Sequence, residues 1–156
     1  MARLQKTWWQ RNKYLLNALI LVLPCIYIYQ ALNPTFPDLW QEQTIGEFKI
    51  APMPLNMEQP YSHHNEYVKD FFLAFNQGEI SNIRQAYLNI GPQPLPLSEL
   101  AKGDEGIMHG TNHGQHAHAI ASATISKGDK LWVTIQTWQG EELVQHWSIP
   151  SQLIQQ

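Results

Sequence analysis

The stretch Leu131-Trp132-Val133-Thr134-Ile135-Gln136-Thr137-Trp138-Gln139-Gly140-Glu141-Glu142-Leu143-Val144-Gln145-His146-Trp147-Ser148-Ile149 decides the fold class. Leu131, Val133 and Ile135 alternate with more polar neighbours, the two-residue period of a strand with one buried face. Leu143, Trp147 and Ile149 mark one face of a second strand. A three-residue loop Trp138-Gln139-Gly140, with Gly140 in the left-handed position, sets Ile135 opposite Leu143 and Leu131 opposite Trp147. A two-residue Gln139-Gly140 loop shifts the register by one and throws the two apolar sets onto opposite faces. The three-residue loop is therefore expected.

Working upstream, Lys127-Gly128-Asp129 turns the chain out of another extended run, Gln115 to Ser126. One face of this run carries His116, His118 and Ile120, and the other Ala117, Ala119 and Ala121. Three consecutive antiparallel strands are thus expected to close the chain. Residues 62–91 fit strands through Phe71, Leu73 and Phe75, and also fit helices through Val68, Phe71, Phe72 and Phe75. The regular spacing of turn signals favours strands. Gly46 to Ala51 reads as a half-buried strand ended by Pro52, Pro54 and Pro60. The expected fold is mainly β: an N-terminal transmembrane helix followed by a small antiparallel β-sandwich of Ig-like kind, with α+β as the alternative.

The front of the chain has a different character. Residues 14–32 form an uncharged run of nineteen, enough as a helix to span a hydrocarbon core of about 30 Å. Pro24 is tolerated in such a helix. Arg3, Lys6, Arg11 and Lys13 precede the run, and no acidic residue comes before Asp38, which sets the N-terminus in the cytoplasm. Trp8, Trp9 and Tyr14 suit one interfacial belt, and Tyr27, Tyr29 and Trp40 the other. No small-x-small cleavage pattern follows, so a retained signal anchor is expected. Cys25, the single cysteine, excludes an intrachain disulfide; Pro24 before it argues against lipidation. The expected organisation is a basic cytoplasmic segment 1–13, a single-pass anchor 14–32 in a bacterial inner membrane, a Pro-containing linker 33–45 and a periplasmic domain 46–156.

The exported part is acidic. Its thirteen carboxylates face only the six Lys and Arg left after the basic start, about −7 in all, against −3 for the whole chain. Such a balance excludes nucleic acid, whose binding needs cations against phosphate. No Ser/His/Asp order, phosphate-cradling glycine loop or HExxH helix is present, and catalysis is not expected.

The chemistry concentrates in Met108-His109-Gly110-Thr111-Asn112-His113-Gly114-Gln115-His116-Ala117-His118. Four of the seven histidines fall here, punctuated by glycines that let the chain fold back. Neutral imidazole is a common metal ligand, and several must converge to hold an ion. His109, His113, His116 and His118, with Met108 beside them, are the expected metal ligands. Methionine tilts the choice toward copper, while zinc competes, with Asp104 and Glu105 available to its shell. Met53, Met57, His63 and His64 form a weaker group; Met53 and Met57 suit packing, and His63-His64 a surface turn. His146, facing away from the core opposite Trp132, suits a structural role. Trp132 and Trp138 share the non-core face and are expected to be covered by residues 92–114.

A basic start, one anchor and a sandwich from Phe71 to Pro150, with His109-Gly110 in mid-domain and Gly128 to Trp138 as a late strand, resembles the FixH/YtkA-like group of anchored periplasmic proteins. The resemblance implies a role in metal handling or in assembly of copper-containing oxidases. The function expected is a membrane-anchored accessory protein that handles copper or zinc through a His-rich loop and serves an inner-membrane transporter or metalloenzyme. The alternative is a structural or assembly subunit of an inner-membrane complex that binds no metal.

Overall fold

A computed structural model of the chain describes residues 7–111 and 114–154. The chain divides into two compact units, Met1–Thr35 and Phe36–Gln156.

The first unit is built on α1, Trp8–Leu32, of 25 residues. Thr7 opens it with a capping box: its hydroxyl accepts from the Gln10 amide, and the Gln10 side chain accepts from the Thr7 amide at 3.3 Å. The Asn33 amide donates back to Tyr29 and Gln30, and Pro34 prevents continuation. Pro24 lies inside the helix, and Cys25 is exposed on it. By length and composition α1 is apolar enough, over an 18-residue window, to cross a membrane.

The second unit is mainly β, as expected. Its strands are β1 (Gln43–Ile45), β2 (Phe48–Pro54), β3 (Tyr61–His63), β4 (Glu66–Gln77), β5 (Ile83–Gly91), β6 (Met108–Thr111), β7 (Gly114–Ala121), β8 (Lys130–Thr137) and β9 (Glu142–Ser148), with a short helix α2 (Leu97–Leu100) between β5 and β6. They form one sheet in the order β1-β2-β4-β7-β5-β8-β9, with β3 added to β4 and β6 to β7. The sheet curves until its ends meet. The Trp147 indole donates to Gln41 O at 2.8 Å, and the Gln145 amide to Thr44 O at 3.3 Å. Inside the curve lie Phe48, Ile50, Phe71, Leu73, Leu88, Leu131, Val133, Ile135 and Trp147.

The terminal hairpin has the expected register. Ile135 opposes Leu143, Leu131 opposes Trp147, and Gly140 takes φ +87°. Residues 62–91 are strands β3, β4 and β5. Three features differ from the sequence reading. First, β7 does not neighbour β8: it ends at Ala121, and β5 lies between them, paired with β8 antiparallel and with β7 in parallel at Asn89–Ile120. The connection buries Ile125, whose amide donates to Gln59, and this pins it as a crossing rather than a hairpin. Second, β2 runs through Pro52 to Pro54. Pro52 O accepts from Trp40 N, so Pro52 faces the outer edge of β2, where a missing N–H breaks no ladder bond. Third, the compact domain begins before residue 46. Strand β1 lies in the stretch read as linker, and Trp40, assigned by sequence to a membrane belt, packs edge-on against Phe71 at 5.3 Å.

Gly106 holds the parallel junction together. It accepts from Leu88 N at 2.8 Å and donates to His118 O at 3.0 Å, bridging β5 and β7 at φ +80°. An added Cβ would sit 3.1 Å from Leu88 O. Gly106→Ala is expected to cost ~1–3 kcal/mol through left-handed strain and this contact, read as a lower melting temperature in a circular-dichroism melt.

A candidate metal centre on the outer face of the sheet

Side-chain alternation on β7 buries Ala117 and Ala119 in the core and turns His116 and His118 to the other face. The β6–β7 pairing sets His109 opposite His116, their rings 3.9 Å apart. The rings of His109 and His118 are 5.8 Å apart, and those of His116 and His118 6.1 Å. One ligand atom from each of His109, His116 and His118 lies within 4.8 Å of the others.

Two hydrogen bonds set the tautomers. His118 Nδ1 lies 2.5 Å from Asp70 Oδ1, and His109 Nδ1 lies 3.1 Å from Ile107 O. A carboxylate and a carbonyl only accept, so both Nδ1 atoms carry the proton and both Nε2 lone pairs stay free for a cation. Asp70 reaches His118 because the β4–β7 register sets them opposite each other. Its carboxylate also accepts from the Tyr61 hydroxyl at 3.1 and 3.2 Å. A carboxylate behind a ligating imidazole is the usual outer shell of a histidine metal site. Burial pushes the Tyr61 hydroxyl pKa up, and the adjacent Asp70 and the charge of Glu105 add to the rise. The His116 pKa is lowered, first by burial and then by the neighbouring imidazoles of His109 and His118, with Asp70 opposing. His116 therefore stays neutral, and able to ligate, at lower pH than an ordinary imidazole.

Beside this triad lies a second convergence. The β3–β4 hairpin turns through His64 (φ +44°) and Asn65 (φ +80°), so His63-His64 does form the turn read from sequence. The turn brings His63 Nε2 to 3.5 Å and His64 Nδ1 to 3.2 Å from the same oxygen of Glu105. His63 also stacks on His118 at 5.5 Å. No local pattern in the sequence points to this meeting, although Glu105 is an available carboxylate there.

Other expected ligands fall elsewhere. His113 lies outside the described residues. Met108 opposes Ala117 and packs against the hydrophobic core, on the face away from His109. Met53 lies opposite Phe72, which itself opposes His116, so a whole strand separates that thioether from the imidazoles. Asp104 is exposed. His146 packs on Trp132 at 4.9 Å, as expected for a structural residue. Trp132 is half-buried and donates to Gly91 O, whereas Trp138 remains 65% exposed rather than covered.

Fold and site together define a β-sheet domain with a histidine-rich outer face, preceded by an apolar helix. Residues 8–150 match the family described as Uncharacterised conserved protein UCP029505, and the chain belongs to that family. No curated protein and no solved structure matches it.

Proposed function

We propose that the protein is a membrane-anchored, periplasmic metal-binding accessory protein that holds copper or zinc on His109, His116 and His118. The observation that carries this reading is the convergence of three imidazole ligand atoms within 4.8 Å, two of the rings with Nδ1 already committed to an acceptor. Supporting it are the basic residues Arg3, Lys6, Arg11 and Lys13 ahead of the uncharged run 14–32, which favour a cytoplasmic N-terminus, and the resemblance to FixH/YtkA-like proteins. With Met108 in the core, the donors are imidazole and carboxylate, which suit Zn(II) or Cu(II) better than Cu(I). An exposed position on a sheet face suits exchange with a transporter or metalloenzyme of the inner membrane.

The test is calorimetric titration of the full chain in detergent, stripped with chelator, with Zn(II), Cu(II) and Cu(I). Sub-micromolar binding of one divalent metal is expected, weakening as the pH falls below about 6 and the imidazoles protonate. Binding no tighter than that of an unstructured histidine peptide overturns the reading. Asp70→Asn removes the charge behind His118 and is expected to weaken affinity about 10–100-fold, as measured by competition with a chromogenic chelator.

The second reading, an assembly subunit without metal, is favoured by one observation: the indole of Trp138 stands 65% exposed. It expects a membrane partner that co-purifies with the chain, is lost on Trp138→Ser and is indifferent to chelator.

A further inference from the structure

The geometry points to a second divalent-cation site formed by His63, His64 and Glu105, adjoining the triad so that the chain takes two ions. This rests on the metal-binding reading only for its neighbour; its own ligands are separate and are tested separately.

Distances carry the argument first. A zinc-like ion with bonds of about 2.0–2.1 Å in tetrahedral geometry sets its ligand atoms about 3.3 Å apart. His64 Nδ1 donates to Glu105 Oε1 at 3.2 Å and His63 Nε2 lies 3.5 Å from the same oxygen, on either side of that edge length, so an ion bound there takes the place of the Nδ1 proton. All three ligand atoms lie within 4.8 Å of one another. Two imidazoles and one carboxylate form a ligand set that zinc accepts, with a fourth position left for water or for a donor from a partner.

Burial carries it second. The Glu105 side chain is only 11% exposed, and among the described residues it pairs with these two imidazoles. A neutral imidazole offers one N–H and no charge, so a nearly buried carboxylate between two of them is poorly compensated. A divalent cation supplies that charge. Glu105 is also held in place from behind, because the next residue, Gly106, is tied to both β5 and β7.

The backbone supplies a third point. A hairpin turn with two consecutive left-handed residues is best served by Asn-Gly, and His64 occupies the first of those positions at φ +44°. Folding alone favours asparagine or glycine there. Histidine is among the residue types that enter the left-handed region, and the turn here sets its ring on Glu105. The two ligand sets touch through His63 stacked on His118, so ions held by them are close neighbours.

The experiment uses the full chain in detergent with Zn(II) for stoichiometry and Co(II) for ligand-field spectra. The parent chain is expected to take two equivalents, and His109/His116/His118→Ala one. His64→Gly is expected to take one equivalent, with an apo melting temperature at or above the parent's. Glu105→Gln is likewise expected to take one equivalent and to lose one set of Co(II) bands. Two equivalents in both His64→Gly and Glu105→Gln, or one in the parent that only the triad variant abolishes, overturns the second site and leaves the triad reading standing. One equivalent retained in the triad variant and lost on adding His64→Gly upholds the second site, even if the triad itself binds nothing.

Discussion

Replacing His109, His116 and His118 together by Ala lowers divalent-metal affinity at the triad by at least about a thousandfold while leaving the apo fold intact. The size follows from what imidazoles contribute. Four-ligand structural zinc sites are worth about 10–16 kcal/mol, so three nitrogens account for several kcal/mol, and each 1.4 kcal/mol is tenfold. The fold should survive because these rings lie on the outer face, exposed or half-buried, while Ala117 and Ala119 fill the core side of the same strand. Asp70, deprived of His118, keeps the Tyr61 hydroxyl. Calorimetry reads the affinity and a circular-dichroism melt the fold. An unchanged affinity with an unchanged melt would take the tight site off these three residues altogether.

The readable part of this molecule was whatever local rules decide. Gly140 and the parity of Leu131, Val133 and Ile135 were enough to set the β8–β9 register, because a one-residue slip exposes an entire apolar face. The same parity put His116 and His118 on one side. Long-range pairing was not readable. Asp70 joins His118 across 48 residues, and nothing local to either residue states that β4 and β7 are neighbours. The meeting of His63, His64 and Glu105 depends on that pairing and on a loop tied down by Gly106, so two groups that looked separate in sequence form one face. Met108 is a different case. Once His109 is set opposite His116, Met108 must oppose Ala117 and turn inward, so its inward position follows from a hairpin that the glycines of the loop disguised.

Trp147→Ala should unfold the domain far more readily than any change on the metal face. Trp147 is 2% exposed, opposes Leu131, and ties the curved sheet shut through its indole bond to Gln41 O. Truncating a fully buried tryptophan costs about 3–5 kcal/mol, a large share of the ~5–15 kcal/mol that holds a domain together. For a domain of this size the melting temperature should fall on the order of 10–20 °C. Trp138→Ala supplies the control: that ring is 65% exposed, and its single bond to Ser81 O makes a loss under about 1 kcal/mol the expectation. The same variant links fold to site. The triad exists only when β6 and β7 are paired, so a metal that binds it binds the folded state alone. At 100 times its dissociation constant such a metal adds about 2.7 kcal/mol, enough to recover more than half of the smaller Trp147→Ala loss. A Trp147→Ala domain whose melting temperature rises with Zn(II) would show that the ion reads the assembled sheet. One that ignores saturating Zn(II) would mean that the metal is held by histidines that need no fold.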